Sequence, residues 1–420
     1  SFLLILFMAL CLSLGNGNKA QAGSLQTKGV WVSCFEFEEL GLKDKTEAQF
    51  RANANKIFAT IRANGCNTEY FHVRAYDDAI YPSSVAGFSK YISSDGKAPG
   101  YDPLKILVSL AHSHKLKIHA WMNPYRVSST KILDPASETT TARIVNQVKE
   151  IINRYAVDGI HFDDYFYPTN IKKYKKVPAA TRRQNVNVMV RKDYQTVKQK
   201  KKSLKFGISP AGDITYCEKI GADVRTWLSQ SGYVDYIIPQ IYWSNNYIMS
   251  GKKTALFNER LAKWREINKR DVPMYVGLAL YKTGYSLKED PGWKKSSGNI
   301  ASQIRQIRSG NTEGYVFFAY KDLIRSGAAK ELKKYYKEIG KISLNKKKKK
   351  LRTGKKYRLK ASFWPANLHG KIKWKSSNKK IAGVSKKGVV KAKKKGTVRI
   401  YAIYGTMKKS CKIIVKKKRK

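Results

Sequence analysis

Between residues 29 and 339, short apolar runs alternate with longer stretches in which apolar positions recur at helical spacing. The apolar runs cover residues 29–37, 67–75, 117–125, 159–166, 205–210, 236–243, 274–281 and 314–320. Most are rich in Val, Ile, Phe and Tyr, the composition of strands covered on both faces. The stretches between them carry helix signals. Thr46-Glu47-Ala48-Gln49 has the spacing of a capping box, and Phe50, Ala54, Ile57, Phe58 and Ile61 follow it as an apolar stripe. Ile144, Val148, Ile151, Ile152 and Tyr155 repeat that stripe ahead of the fourth run.

Eight strand–helix units across residues 28–339 predict an α/β chain folded as a (β/α)8 TIM barrel, which takes about 250 residues plus insertions. An open doubly wound sheet is the competing arrangement, but no Gly-rich phosphate loop follows the first strand. Past residue 340 the rhythm changes. Residues 357–363, 371–375, 389–392, 398–404 and 410–415 alternate apolar and polar positions between turn residues. They predict a small all-β immunoglobulin-like sandwich over residues 341–416, followed by a basic tail at 417–420. The lysine run at 346–350 falls in the linker and first-strand region.

Charge sharpens that boundary and narrows the partners. The 420 residues hold 83 Lys plus Arg against 30 Asp plus Glu, for a net charge of +53. Residues 341–420 carry 31 of the basic groups and no acid at all. Such a balance calls for anionic surroundings: nucleic acid, anionic lipid or anionic wall polymer. Residues 2–14 are an apolar run too short to span a bilayer, and Ala20-Gln21-Ala22 follows as an A-x-A cleavage pattern. Residues 1–22 are therefore expected to be an export signal, with an uncleaved anchor as the alternative. No other stretch is apolar enough for a transmembrane span. An exported chain meets little nucleic acid, so cell-wall polymers are the expected partners and nucleic acid is not. Cys34, Cys66, Cys217 and Cys411 lack metal spacing. A Cys34–Cys66 bridge is conceivable, but buried free thiols are expected.

In a (β/α)8 barrel the reactive groups gather at the C-terminal ends of the strands. The fourth strand ends most suggestively, in Asp158-Gly159-Ile160-His161-Phe162-Asp163-Asp164-Tyr165-Phe166-Tyr167-Pro168. Side chains alternate along a strand, so His161, Asp163 and Tyr165 share one face and Asp164 starts on the other. Two adjacent carboxylates leaving an apolar strand are expensive unless they are used or paired. Their repulsion should raise one pKa, as a general acid requires, although a carboxylate tied to loop amides would satisfy the same pattern. Other strand ends supply His72, Arg74 and Asp77; Trp121, Asn123, Tyr125 and Arg126; Asp213; Gln240, Tyr242 and Trp243; and Tyr320. Aromatic faces interleaved with Asn, Gln and Arg suit sugar rings. No H-E-x-x-H, paired C-x-x-C or G-x-S-x-G occurs, so neither metal nor cofactor is expected.

These residues resemble a known family. Gly29-Val30-Trp31-Val32-Ser33, His72-Val73-Arg74 with Tyr81-Pro82-Ser83, Trp121-Met122-Asn123-Pro124-Tyr125-Arg126, the segment from Asp158 to Pro168, Gly207-Ile208-Ser209-Pro210 and Asp235-Tyr236-Ile237-Ile238-Pro239-Gln240-Ile241-Tyr242-Trp243 are similar, in order, to the glycosyl-hydrolase-like 10 family. The resemblance implies a glycan-acting barrel. In at least one division-associated member it implies cleavage of peptidoglycan strands stripped of their stem peptides. It maps the family's acidic pair onto Asp163 and Asp164. His72 departs from the Gln of many members, and Cys34-Phe35-Glu36-Phe37 departs from the commoner Asp-Trp ending. The tail resembles a group 2 bacterial immunoglobulin-like domain through Trp374-Lys375-Ser376-Ser377-Asn378, Ile381-Ala382-Gly383-Val384-Ser385 and Gly388-Val389-Val390-Lys391-Ala392.

The expected protein is a secreted glycoside hydrolase of cell-wall glycan, held at the wall by its basic module. Asp163 or Asp164 would protonate the leaving oxygen. Glu36, Asp77 or Asp213 would supply a second carboxylate, unless an N-acetyl group of the substrate takes that part. The alternative is a wall-binding or adhesion protein whose barrel holds glycan without cutting it.

Overall fold

The structure, a computed structural model, describes residues 25–168, 171–295, 298–310 and 312–417. The expected export signal and the last three residues of the basic tail lie outside them. Eight parallel strands form one sheet: Thr27–Val32, Thr68–Arg74, Lys117–Met122, Gly159–Asp163, Lys205–Ser209, Tyr236–Ile237, Tyr275–Leu278 and Gly314–Phe317. The eighth pairs with both the first and the seventh. Parallel bridges Ile237↔Met274 and Gln240↔Gly277 close the sixth onto the seventh, completing a (β/α)8 barrel.

Every strand begins within two residues of its expected start and ends sooner than expected. Beyond each end the chain stays apolar because its side chains pack beneath the barrel mouth or line it. The sixth strand stops at Ile237, where Pro239 has no N–H for the ladder. The helix Glu47–Ala63 starts at the Thr46 capping box and buries Phe50, Ala54, Ile57, Phe58 and Ile61 against the sheet.

Inside the barrel, Trp31, Tyr70, Trp121, Tyr236, Ile238 and Val316 form their own packed layer. Two buried histidines are threaded through it by hydrogen bonds. Trp31 Nε1 donates to His161 Nε2 at 3.2 Å. Indole nitrogen can only donate, so His161 carries its proton on Nδ1 and gives it to the Tyr236 hydroxyl at 3.2 Å. Tyr236 in turn donates to His119 Nδ1 at 2.9 Å. Burial lowers His119 to about 4 and His161 well below its usual range, so both are neutral.

The C-terminal module is an all-β sandwich around Leu351, Leu359, Val390, Val398, Ile400, Ile413 and Val415. Strands Lys348–Arg352, Met407–Lys416, Gly396–Tyr404 and Lys373–Ser376 form one sheet, and Lys356–Arg358, Val389–Ala392 and Ala382–Val384 the other. Two strands were not expected, Lys341–Leu344 and Ala382–Val384, while Lys348–Arg352 forms where the lysine run was placed, in the first-strand region. The module docks on the N-terminal end of the barrel. The Asn367 N–H donates to the Ala63 carbonyl at 3.3 Å, the Asn367 side-chain amide donates to the Tyr336 hydroxyl at 3.5 Å, and Lys28 lies 5.5 Å from the Trp364 ring.

Gly207 is a position where the interior allows no side chain. A Cβ there would lie 2.3 Å from the Tyr236 ring. Gly207→Ala is expected to displace Tyr236 and destabilise the barrel by about 1–3 kcal/mol in urea unfolding, the usual range for an overpacked core.

Candidate active site

The alternation that turns His161 inward also turns Asp163 inward, one layer nearer the C-terminal mouth. Asp163 is buried, and its Oδ1 accepts hydrogen bonds from the Asp164 N–H at 2.9 Å and Gln240 Nε2 at 3.1 Å. Gln240 is fixed by a second donation, to the Ser209 carbonyl at 2.8 Å. The strand ends at Asp163, so Asp164 is free to turn. It is half-buried, and its Oδ2 accepts from the Ala211 N–H at 2.7 Å. Burial raises Asp163, while burial and then the Asp163 charge raise Asp164 well above the usual carboxylate range. Both groups therefore favour their protonated forms more than a free carboxyl does.

Asp164 opens onto a cavity of about 310 Å³ lined also by Arg126, Ser128, Ile132, Tyr165, Tyr167 and Tyr216. A second hollow of about 480 Å³, bounded by Tyr76, Phe88, Tyr91, Ser128 and Ser129, adjoins it across the 126–131 loop. Tyr165 is 47% exposed, and Phe35, 62% exposed, stands edge-on to Tyr76 and Tyr91. Tyr242 lies half-buried against Tyr281 and Phe318. The result is a groove with aromatic walls over an acidic floor. Such surfaces suit the C–H faces of sugars.

Several other expected site residues lie away from the mouth. Arg74 is re-aimed by a register shift between His72 and Arg74 and reaches the helix layer, donating to Gln147 at 2.8 Å and Asp77 at 2.9 Å. Asp77 also accepts from Arg143 at 2.9 Å, so its carboxylate is tied between two guanidiniums. Asp213 caps the helix Ile214–Lys219 and pairs with Arg260 at 2.7 Å. Glu36 accepts backbone N–H bonds from Ser33 at 2.8 Å and Lys321 at 2.7 Å, and burial raises it to about 7. None of the three is a free carboxylate. Tyr125 is fully buried, edge-on to Phe166. His161 belongs to the interior network, Tyr320 is buried beneath the mouth, and Trp243 turns toward Arg260.

His72 and Trp121 stack at 3.8 Å below the mouth, and burial lowers His72 to about 3. Asn123 is buried with its amide nitrogen donating to the Ala75 carbonyl at 3.2 Å. Tyr76, Tyr91, Tyr281 and Phe318 were missed. Their signal was aromatic character continuing just beyond strand ends, which reads as strand when the loop positions are unknown.

A closed parallel barrel with an acidic pair beneath an aromatic groove defines the class of glycoside-hydrolase-like barrels. Residues 26–140, 127–184 and 175–295 match Glycosyl hydrolase-like 10, and the chain belongs to that family. Residues 339–415 match the group 2 bacterial Ig-like domain. The chain is 29% identical over 359 residues to "Glycosyl hydrolase YngK" of Bacillus subtilis, covering 71% of this chain and 69% of that one. It is 31% identical over 300 residues to "Glycosyl hydrolase DigH" of Escherichia coli, covering 56% and 66%. Among solved structures, the PgaB glycoside hydrolase domain of Bordetella bronchiseptica shares the fold at a TM-score of 0.52 and 11% identity, covering 73% of this chain and 98% of that one. Catalytic domain 2 of the Ostrinia furnacalis Group II chitinase does so at 0.51 and 10%, covering 74% and 96%.

Asp77→Asn keeps the left-handed backbone at φ 56° but leaves buried Arg74 without its counter-charge. It should cost about 3 kcal/mol of stability in urea melts. Turnover per folded molecule should stay near wild type; a collapse would mark Asp77 as catalytic.

Burial raises Glu36, Asp163 and Asp164 above their ordinary values of 4.5, 3.8 and 3.8. Above those values the folded chain keeps protons that the unfolded chain has released. Their stabilising contribution is full below about pH 4 and is lost as pH rises through the folded values. Asp163→Asn should therefore unfold at higher urea than wild type at pH 7, with the gap closing at pH 4.

Proposed function

We propose that this chain is an exported glycoside hydrolase that cuts bacterial cell-wall glycan by acid–base chemistry at Asp163 and Asp164. The observation that carries this reading is the adjacent pair Asp163 and Asp164, placed where a groove with aromatic walls meets the ends of the strands. Asp164, on the open side, would donate its proton to the glycosidic oxygen as the C–O bond breaks. Asp163, held by Gln240 and the Asp164 amide, would keep the negative charge that stabilises the cationic sugar. With Glu36, Asp77 and Asp213 committed elsewhere, attack on the anomeric carbon falls to water directed by Asp163 or to an acetamido oxygen of the substrate.

The same commitment favours one rival. A barrel lacking a second free carboxylate across the groove could hold glycan without cutting it. Peptidoglycan strands with and without stem peptides, incubated with the protein and read by product mass spectrometry, separate the two. New reducing ends support the hydrolase, and retention without products supports the binder. Asp164→Asn and Asp163→Asn should each lower turnover by about 10²–10⁴.

The basic module would hold the enzyme against anionic wall polymers. Every ion pair among the described residues lies at or before residue 338, so the module's cations have no internal neutralisation. Arg358, Lys360, Lys371, Lys386 and Lys387 line one groove of about 690 Å³ with Trp374. Sedimentation of the full chain with purified cell walls should fall steeply as salt rises through about 0.1–1 M, where the Debye length shrinks from about 10 to 3 Å. Retention unaffected by salt would leave the module a spacer.

A further inference from the structure

Arg126 stands on the loop between the two hollows of the groove. Its guanidinium lies over two rings, 4.0 Å from the centroid of Tyr165 and 4.9 Å from that of Tyr76. Its Nε donates to the Ser128 carbonyl at 3.3 Å, which fixes the plane of the group. Other arginines of the barrel are neutralised, Arg74 and Arg143 by Asp77, Arg260 by Asp213 and Arg325 by Asp322. Arg126 has no carboxylate partner among the described residues. It is a half-buried, oriented cation lining the same cavity as Asp164.

A guanidinium held in this way presents its terminal N–H groups as a fork. Removing it partly from water without a counter-charge is unfavourable, and a planar anion arriving in the cavity reverses that penalty while accepting two parallel hydrogen bonds. A single fork matches a carboxylate best. We propose that Arg126 is the specificity residue that reads a carboxylate carried by the sugar beside Asp163 and Asp164, so that the preferred substrate is an acidic rather than a neutral glycan. This rests on the reading of the mouth as a glycan site. It adds which glycan is chosen and by which side chain.

The test compares three probes on the full chain: peptidoglycan strands freed of stem peptides, which carry free carboxylates; the same strands amidated with carbodiimide and ammonia; and neutral chitin oligosaccharides. Binding is measured by calorimetry and turnover by reducing ends, independently. Wild type should bind the acidic strands about 10–100-fold more tightly than the amidated ones, the value of a charged hydrogen-bonded contact. Arg126→Gln should bind the acidic and the amidated strands alike. Arg126→Lys should restore only part of the preference, because a point charge replaces a fork. Equal binding of acidic and amidated strands by wild type overturns the inference, as does failure to bind either. This comparison needs no variant, so poor folding of Arg126→Gln does not blunt it. A uniform loss on all three probes with a shifted pH profile also overturns it, because Arg126 would then act through the acidic pair. Discriminating binding without products leaves the inference standing and defeats the hydrolase reading.

Discussion

The barrel depends on how it fills its own axis. Eight strands enclose a space that must be packed, and here the packing includes two imidazoles that cannot be charged where they lie. Trp31 resolves the difficulty. Because its indole can only donate, it fixes the His161 tautomer, and the remaining proton runs on to Tyr236 and then His119. Ser209 meets the same His161 nitrogen at 3.0 Å. Gly159 and Gly207 leave room for the rings, since a Cβ at either would meet His119 at 2.5 Å or Tyr236 at 2.3 Å. With His161 locked on its strand, Asp163 two residues on is placed on the same inward face, and Gln240 meets it from the sixth strand's extension.

That rigidity is what makes the acidic pair tenable. A buried carboxylate is destabilising, and two adjacent ones more so. Each is therefore held by donors the fold already fixes: the Ala211 amide for Asp164, and the Asp164 amide and Gln240 for Asp163. These bonds position the oxygens but do not cancel the cost of burying them, so both groups stay raised above the ordinary carboxylate range. The other acids show the contrast. Asp77, Asp213 and Glu36 meet guanidiniums or pairs of backbone amides, and their lone pairs serve the structure.

What the sequence made legible follows from what each pattern reports. Apolar runs report burial, so the strands were found and their N-terminal starts placed closely. Their ends were not, because residues such as Phe35, Tyr242 and Tyr281 stay aromatic after pairing stops. Alternation reports facing only while register holds. It placed His161 and Asp163 correctly on one face and failed at Arg74, where a bulge sends the side chain to Gln147. The lysine run at 346–350 marked a first-strand region without bounds, because its charge drowned the single buried Leu351 that anchors Lys348–Arg352. The resemblance carried the acidic pair, but it could not show which nearby acids were already committed. That depends on partners such as Arg143 and Lys321, remote in sequence from Asp77 and Glu36.

The two ends of the molecule are chemically opposed. The basic module packs on the N-terminal end of the barrel through Asn367 and Trp364, which meet Ala63, Tyr336 and Lys28, while the carboxyl pair opens at the other end. A chain held by its cations would then present the groove away from the polymer that holds it. Under the proposed reading, the anchoring polymer and the glycan being cut are different molecules, or distant parts of one. The module's field would contribute little at the mouth, because its charges lie across the barrel, well beyond a Debye length of about 8 Å at physiological salt. Discrimination at the groove must therefore come from local groups. On that reading, one guanidinium over Tyr76 and Tyr165 would matter more to substrate choice than thirty-one cations at the far end.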